Sequence, residues 1–155
     1  MKEDPMIKLL IVDDEVDFLE MLTNRLKKRK IDVEGVTSGE DALKRMEEKI
    51  FDVIVLDIKM PQGMDGIEVL RRIKKKWPLT EVILLTGHAS VETSIEGLHL
   101  GAFDYLMKPA SLNELLDKVG AAYERRTSQL QKIQKAKVQE LVRHPGRVFD
   151  EDEEE

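Results

Sequence analysis

The chain contains no cysteine, which excludes a disulfide framework, a thiolate nucleophile, a cysteine-held zinc and an iron–sulfur cluster. Long hydrophobic runs are also missing. The longest apolar stretches, such as Leu9–Val12, Val53–Leu56 and Val82–Leu85, fall far short of a membrane span. The opening residues, MKEDPMIK, lack the apolar core of a signal peptide. The expectation is a soluble cytoplasmic protein with no membrane partner. With 155 residues, 41% of them hydrophobic, the chain can bury one good core and is too short for two.

Charge of one sign is scarce until the end of the chain. The net charge is −6, and residues 150–155 are all acidic, so residues 1–149 balance at 25 charges of each sign. Residues 124–149 hold seven basic residues against two acidic ones. These numbers divide the chain into a mildly acidic body at 1–126, a basic helical extension or linker at 127–149, and an acidic tail at 150–155. The tail reads as disordered, because adjacent like charges repel and bury nothing.

What is present is an alternation of short apolar runs with longer amphipathic stretches. Ile7–Val12, Val53–Leu56 and Val82–Leu85 are rich in Ile, Val and Leu and barely alternate, as strands covered on both faces do. Phe103–Met107 is a weaker fifth strand. In Ile31–Val36, Asp32 and Glu34 interleave with Val33, which predicts an edge strand with a wetter face. Between the runs, apolar residues recur at helical spacing: Phe18, Leu19, Leu22 and Leu26; Leu43 and Met46; Ile67, Leu70 and Ile73; Val91, Ile95 and Leu98; and Leu112, Leu115, Leu116 and Val119. Ser38 and Ser111 carry helix-start signals, the latter with Glu114 in a capping box. Five strand–helix pairs predict an open, doubly wound α/β fold with a parallel sheet, since five units are too few for an eight-stranded barrel.

Beyond Val119 the helical pattern continues loosely through Tyr123, Leu130, Ile133, Val138, Leu141 and Val142 until His144-Pro145-Gly146 breaks it. Arg126 and Lys137 stand where a coiled-coil seam would want apolar residues. The pattern leaves open whether one continuous helix forms or a break falls near Thr127.

In such sheets, ligands sit beyond the carboxyl ends of the strands. Asp13, Asp14 and Glu15 follow the first run, Asp57 ends the third, Thr86 follows the fourth, and Lys108-Pro109 follows the fifth. If the first and third strands are neighbours, Asp13, Asp14 and Asp57 converge. Crowded carboxylates raise one another's pKa unless a cation neutralises them. An all-oxygen ligand set without His or Cys favours a hard ion, Mg²⁺ above all. Carboxylates, a threonine hydroxyl and a lysine ammonium around one anion describe a site that handles phosphoryl groups.

Five stretches carry a strong resemblance to the receiver domain of two-component response regulators. They are Ile11-Val12-Asp13-Asp14-Glu15, Val55-Leu56-Asp57-Ile58-Lys59-Met60-Pro61, Met64-Asp65-Gly66, Leu85-Thr86-Gly87, and Gly101-Ala102-Phe103-Asp104-Tyr105-Leu106-Met107-Lys108-Pro109. The resemblance covers residues 6–126. It implies a flavodoxin-like sheet of order 2-1-3-4-5, a topology for which a chemotaxis receiver is a standard example.

The resemblance further implies that Asp57 accepts a phosphoryl group from a phosphohistidine on a sensor histidine kinase or phosphotransfer protein. Asp13, Asp14, Asp57 and the main-chain carbonyl of Lys59 would bind Mg²⁺. Thr86 and Lys108 would contact the phosphoryl oxygens, with a cis Lys108–Pro109 peptide aiming the lysine. Pro61 and Gly66 would shape the neighbouring loop. Thr86 and Tyr105 would relay the change to the surface of the fourth helix, fifth strand and fifth helix, residues 91–123. Lys59 and His88 stand where the family tunes dephosphorylation.

The implied activity is a signalling switch with only self-directed phosphotransfer and autodephosphorylation. Its downstream effector is unknown and no direct DNA binding is expected. A homodimer could form through the 91–123 surface or the C-terminal helix. One departure is visible: Met60-Pro61-Gln62-Gly63-Met64-Asp65-Gly66 is one residue longer than the family's usual loop, so an altered loop shape with intact chemistry is expected. The alternatives fit less well. A phosphatase of the haloacid dehalogenase type wants Asp-x-Asp with its nucleophile after the first strand. A pseudo-receiver should have lost one of the site residues, and a flavin carrier needs a Ser/Thr/Gly phosphate loop where this chain has acids.

Overall fold

The computed structural model describes residues 6–87, 91–144 and 146. The strands are β1 (Lys8–Val12), β2 (Asp32–Val36), β3 (Val53–Asp57), β4 (Glu81–Thr86) and β5 (Asp104–Met107). The helices are α1 (Val16–Lys27), α2 (Gly39–Glu48), α3 (Gly66–Lys76), α4 (Val91–His99) and α5 (Leu112–Arg143). All strand pairs are parallel, in the order β2-β1-β3-β4-β5. The flavodoxin-like order read from the sequence is the observed one.

Because side chains alternate across a strand, the central strands divide their residues by parity. Leu9, Ile11, Val53, Val55, Ile83 and Leu85 face α1 and α5, where Leu22, Leu26, Leu115 and Val119 meet them. Leu10, Val12, Ile54, Leu56, Val82 and Leu84 face the other layer, closed by Met46, Val69, Leu70 and Ile73. Both faces are therefore dry, which explains the unbroken Ile/Val/Leu runs. At the edge, β2 keeps Asp32 and Glu34 half-exposed. Lys49 lies 3.1 Å from Asp32 and 2.7 Å from Glu34, and Arg45 lies 2.7 Å from Glu34. Charges held there discourage a second chain from pairing with the open edge.

Ser38 caps α2 by accepting a bond from the Asp41 N–H at 3.1 Å, and Ser111 caps α5 in the same way through Glu114 N. Ser38→Ala is expected to cost about 1 kcal/mol of unfolding free energy, measurable as a lower urea midpoint with an unchanged slope.

Two expectations about helices need comment. The stripe Val91, Ile95, Leu98 does not face the core: these residues are 53%, 48% and 38% exposed, and α4 buries Ser94 and Gly97 instead. The cause is space. A Cβ at Gly97 would fall 2.2 Å from Leu84 Cδ1, so only a small residue lets the helix approach β4 this closely. The open question of the last helix resolves in favour of continuity, since α5 runs 32 residues straight through Thr127.

At about 1.5 Å per residue α5 is far longer than the strands it covers, and it projects past the amino-terminal edge of the sheet. Arg125 Nε lies 3.3 Å from Glu81 Oε2 and Arg126 Nε 3.1 Å from Asp52 Oδ1, fastening the helix where its last buried residue, Ala122, leaves the core. The polar residue that interrupts the seam at 126 thus serves this body. No described helix is long and apolar enough to cross a membrane. His88 and the acidic tail at 150–155 lie outside the described residues.

Candidate phosphoryl-acceptor site

Strand register assembles the site. Val12 pairs with Leu56, so Asp13 and Asp57 leave adjacent strands at the same level. The ligand oxygens of Asp13, Asp14 and Asp57 all lie within 4.8 Å of one another. Asp13 and Asp57 are buried, whereas Asp14 is exposed. Thr86 pairs with Met107, which places Lys108 immediately beyond the sheet, and the Lys108 N–H donates to the Thr86 carbonyl at 2.6 Å. The Lys108–Pro109 peptide is cis.

Lys108 Nζ donates to Asp13 Oδ2 at 2.8 Å and lies 3.8 Å from Glu15 Oε1 and 3.9 Å from Asp57 Oδ2. Burial works against its charge, but the bond to Asp13 and the charges of Asp57, Asp13 and Glu15 outweigh it, so the ammonium is held above the ordinary lysine range. Asp57 is displaced the opposite way for an acid. Burial, then the neighbouring Asp13 charge, push its carboxyl up from 3.8 to about 6. Lys108 and the Lys59 N–H, which donates to Asp57 Oδ1 at 3.2 Å, oppose the rise, and Asp14 adds to it. Three acids and one lysine leave negative charge in excess, and the oxygen-only donor set fits a hard divalent cation. An open cleft lined by Glu15, Asp57, Lys59, Gly87 and Lys108 gives access to the Asp57 carboxylate.

The Thr86 hydroxyl donates to the Gly87 carbonyl at 3.0 Å. Tyr105 pairs with Leu84, two residues before Thr86, and is half-buried against the layer that contains Leu84. Thr86 and Tyr105 therefore belong to one face of the sheet.

Some participants escaped the sequence reading. Phe18 sits beneath Lys108, its ring centroid 4.5 Å from Nζ, a cation–π contact that steadies the ammonium. Glu40, from α2, accepts the Met64 N–H at 2.8 Å and pins the lengthened loop. That loop turns through Gly63 at φ +78°, a conformation that suits glycine. Asp65 caps α3 by accepting the Glu68 N–H at 2.9 Å.

An acidic group at the carboxyl ends of β1 and β3, faced by a threonine and a lysine from β4 and β5, is the donor set of an α/β site for a hard cation and an anion beside it. Comparison with known proteins agrees. A family model described as the response regulator receiver domain matches residues 9–120, and the chain belongs to that family. The transcriptional regulatory protein ZraR of Salmonella typhimurium is 40% identical over 116 residues, covering 75% of this chain and 26% of the relative. The chain thus spans about a quarter of the length of the curated relatives it matches. Among solved structures, the Francisella response regulator 1452 receiver domain superposes with a TM-score of 0.70 at 36% identity, covering 77% of this chain and 98% of that one. A CheY-like receiver domain protein from Methanospirillum hungatei gives 0.76 at 31% identity, covering 81% and 99%. These relatives are response regulators, not dehalogenase-type phosphatases. The family acts as a signalling switch, pairs with histidine kinases or phosphotransfer proteins, and binds Mg²⁺ at an acidic group of the kind formed here by Asp13, Asp14 and Asp57.

Proposed function

We propose that Asp57 takes a phosphoryl group from the phosphohistidine of a sensor histidine kinase or phosphotransfer protein. The observation that carries this reading is the gathering of Asp13, Asp14 and Asp57 oxygens within 4.8 Å, with Lys108 Nζ 3.9 Å from the Asp57 carboxylate. An Asp57 oxygen attacks phosphorus, the phosphorus–nitrogen bond breaks, and its electron pair returns to the donor imidazole. Asp13, Asp14, Asp57 and the Lys59 carbonyl would hold Mg²⁺, which supplies charge neutralisation for the phosphoryl oxygens when bound. Lys108 is already charged and placed to pair with those oxygens.

Phosphorylation adds a charge near −2 beside Thr86. The threonine hydroxyl exchanges its Gly87 partner for a phosphoryl oxygen, and Tyr105, on the same face of the sheet, follows the space that this opens. The output is a changed surface on α4, β5 and α5, where Val91, Ile95, Leu98 and Met107 stand exposed. A small bias of a few kcal/mol between two packings is enough for such a switch. On this reading residues 1–126 are the switch and 127–149 its stem. The protein works in the cytoplasm, controls a partner protein directly or as a homodimer, and turns over no external substrate.

The test is incubation with acetyl phosphate and Mg²⁺, followed by intact-mass and peptide mapping. One phosphate per chain on the Asp57 peptide is expected, and chelation with EDTA should abolish it. Labelling elsewhere, or sustained turnover of unrelated phosphoesters, would overturn the assignment.

A further inference from the structure

The stem of α5 beyond Arg126 presents two different faces. Leu130, Ile133 and Leu141 continue the stripe by which Leu112, Leu115 and Val119 enter the core. A second ridge, at steps of three and four residues, runs Val142, Val138, Lys135, Lys132. Val138 and Val142 are 54% and 77% exposed, and both lysines are exposed as well. Read from its carboxyl end, this ridge is apolar for two positions and then basic.

The chain that follows has the matching order. After the helix breaker His144-Pro145-Gly146 come Arg147, then Val148 and Phe149, then six consecutive acids, Asp150–Glu155. Residues 147–155 lie outside the described part of the molecule. Gly146 is itself helical; two extended residues beyond it would reach back about 7 Å, some five residues of helix, enough to bring Val148 between Val142 and Val138. Four would reach back about 13 Å, some nine residues of helix, enough to start the acids at the level of Lys137 and run them on past Lys135 and Lys132. Both lengths and both chemistries agree in antiparallel order.

We propose that the acidic segment docks on the stem of its own chain, with Val148 and Phe149 on Val138 and Val142, and Asp150–Glu155 along Lys135 and Lys132. The tether makes the encounter intramolecular, at an effective concentration on the order of millimolar. A second copy of the helix is the weaker occupant of the stem as a whole, because a symmetric pair would set Lys137 against its own counterpart. A tail so placed also keeps external polyanions off the basic ridge.

The absence of native cysteine makes the test direct. Asp152→Cys in the otherwise intact chain takes one spin label, and paramagnetic broadening of backbone amides is read along α5. The expected result is strong loss of signal from residue 131 to residue 142. A companion chain whose remaining tail acids are changed to Asn and Gln should broaden only residues next to the tether, about 140–144. In 1 M salt, where the screening length falls to about 3 Å, the labelled wild-type tail should retreat toward that same pattern. Identical profiles from the acidic and neutral tails would overturn the proposal. So would broadening that appears when unlabelled-spin, isotope-enriched protein is mixed with spin-labelled protein, since that would place the tail on a different copy.

Discussion

Asp57→Asn is expected to abolish phosphoryl uptake and, at the same time, to make the metal-free protein more stable at neutral pH. The first effect is loss of the nucleophile: an amide oxygen does not form the acyl phosphate, so acetyl phosphate labelling should fall to background. The second follows from the site's surplus of negative charge. The folded state holds the Asp57 proton up to about pH 6, against 3.8 for the free side chain, because burial and then Asp13 disfavour its anion. Between those two values the folded chain binds more protons than the unfolded one, so stability falls as pH rises and the full cost is present above about pH 6. The gap between 3.8 and about 6 corresponds to roughly 3 kcal/mol. That rise is already net of the Lys108 attraction, so replacing the costly anion with a neutral amide is expected to gain up to about 3 kcal/mol.

Urea unfolding in EDTA from pH 4 to pH 8 measures this. Wild type should weaken across the range and Asp57→Asn should not, while added Mg²⁺ should restore wild type and leave the variant nearly unchanged. Parallel pH profiles for the two proteins would show that Asp57 carries no such cost.

Gly66→Ala is expected to be the most damaging single-methyl substitution near the site. A Cβ there would lie 2.4 Å from the Asp57 carbonyl oxygen, 2.6 Å from Ile58 Cα and 2.8 Å from the Ile58 carbonyl oxygen. Every one of these atoms is backbone, so no flexible side chain can yield. The Gly66 N–H also donates to the Ile58 carbonyl at 3.0 Å, tying the first residue of α3 to the chain that carries the acceptor. A cost above about 3 kcal/mol is expected, with weakened Mg²⁺ binding as the loop is forced away from Asp57. Gly120→Ala is the matched control. Its Cβ would meet nothing within 4 Å, and a glycine inside a helix gives up about 0.5–1 kcal/mol relative to alanine, so that variant should be stabilised. Equal midpoints for the two variants would refute the steric account.

The contrast between these glycines marks what was legible in the sequence and what was not. The central strands could be read because both faces of the sheet are dry, which leaves Leu9–Val12, Val53–Leu56 and Val82–Leu85 without polar interruption. The acids, the threonine and the lysine could be read because each stands where a strand ends, and parallel strands bring those ends to one edge. Helix α4 was legible as a helix, but which of its faces is buried was not, because hydrophobic spacing cannot report closeness. Its contact with β4 is set by the smallness of Ser94 and Gly97, and Val91, Ile95 and Leu98 are left outside. The support given by Glu40 to the longer loop, and by Phe18 to Lys108, joins residues distant along the chain, and neither type in isolation signals such a role. Arg126 looked like a defect in a coiled-coil seam, and became intelligible only beside Asp52, with Arg125 paired to Glu81 next to it.

The uninterrupted course of α5 from Ser111 to His144 has a geometric consequence for anything fused to its far end. A straight helix gears rotation to length. Inserting one residue within the stem would swing an attached module by about 100° and move it by about 1.5 Å, whereas inserting seven would return it to within about 20° of its original heading. Spacing in the stem is therefore a phase setting, and chimaeras joined here should succeed or fail with the periodicity of the α-helix.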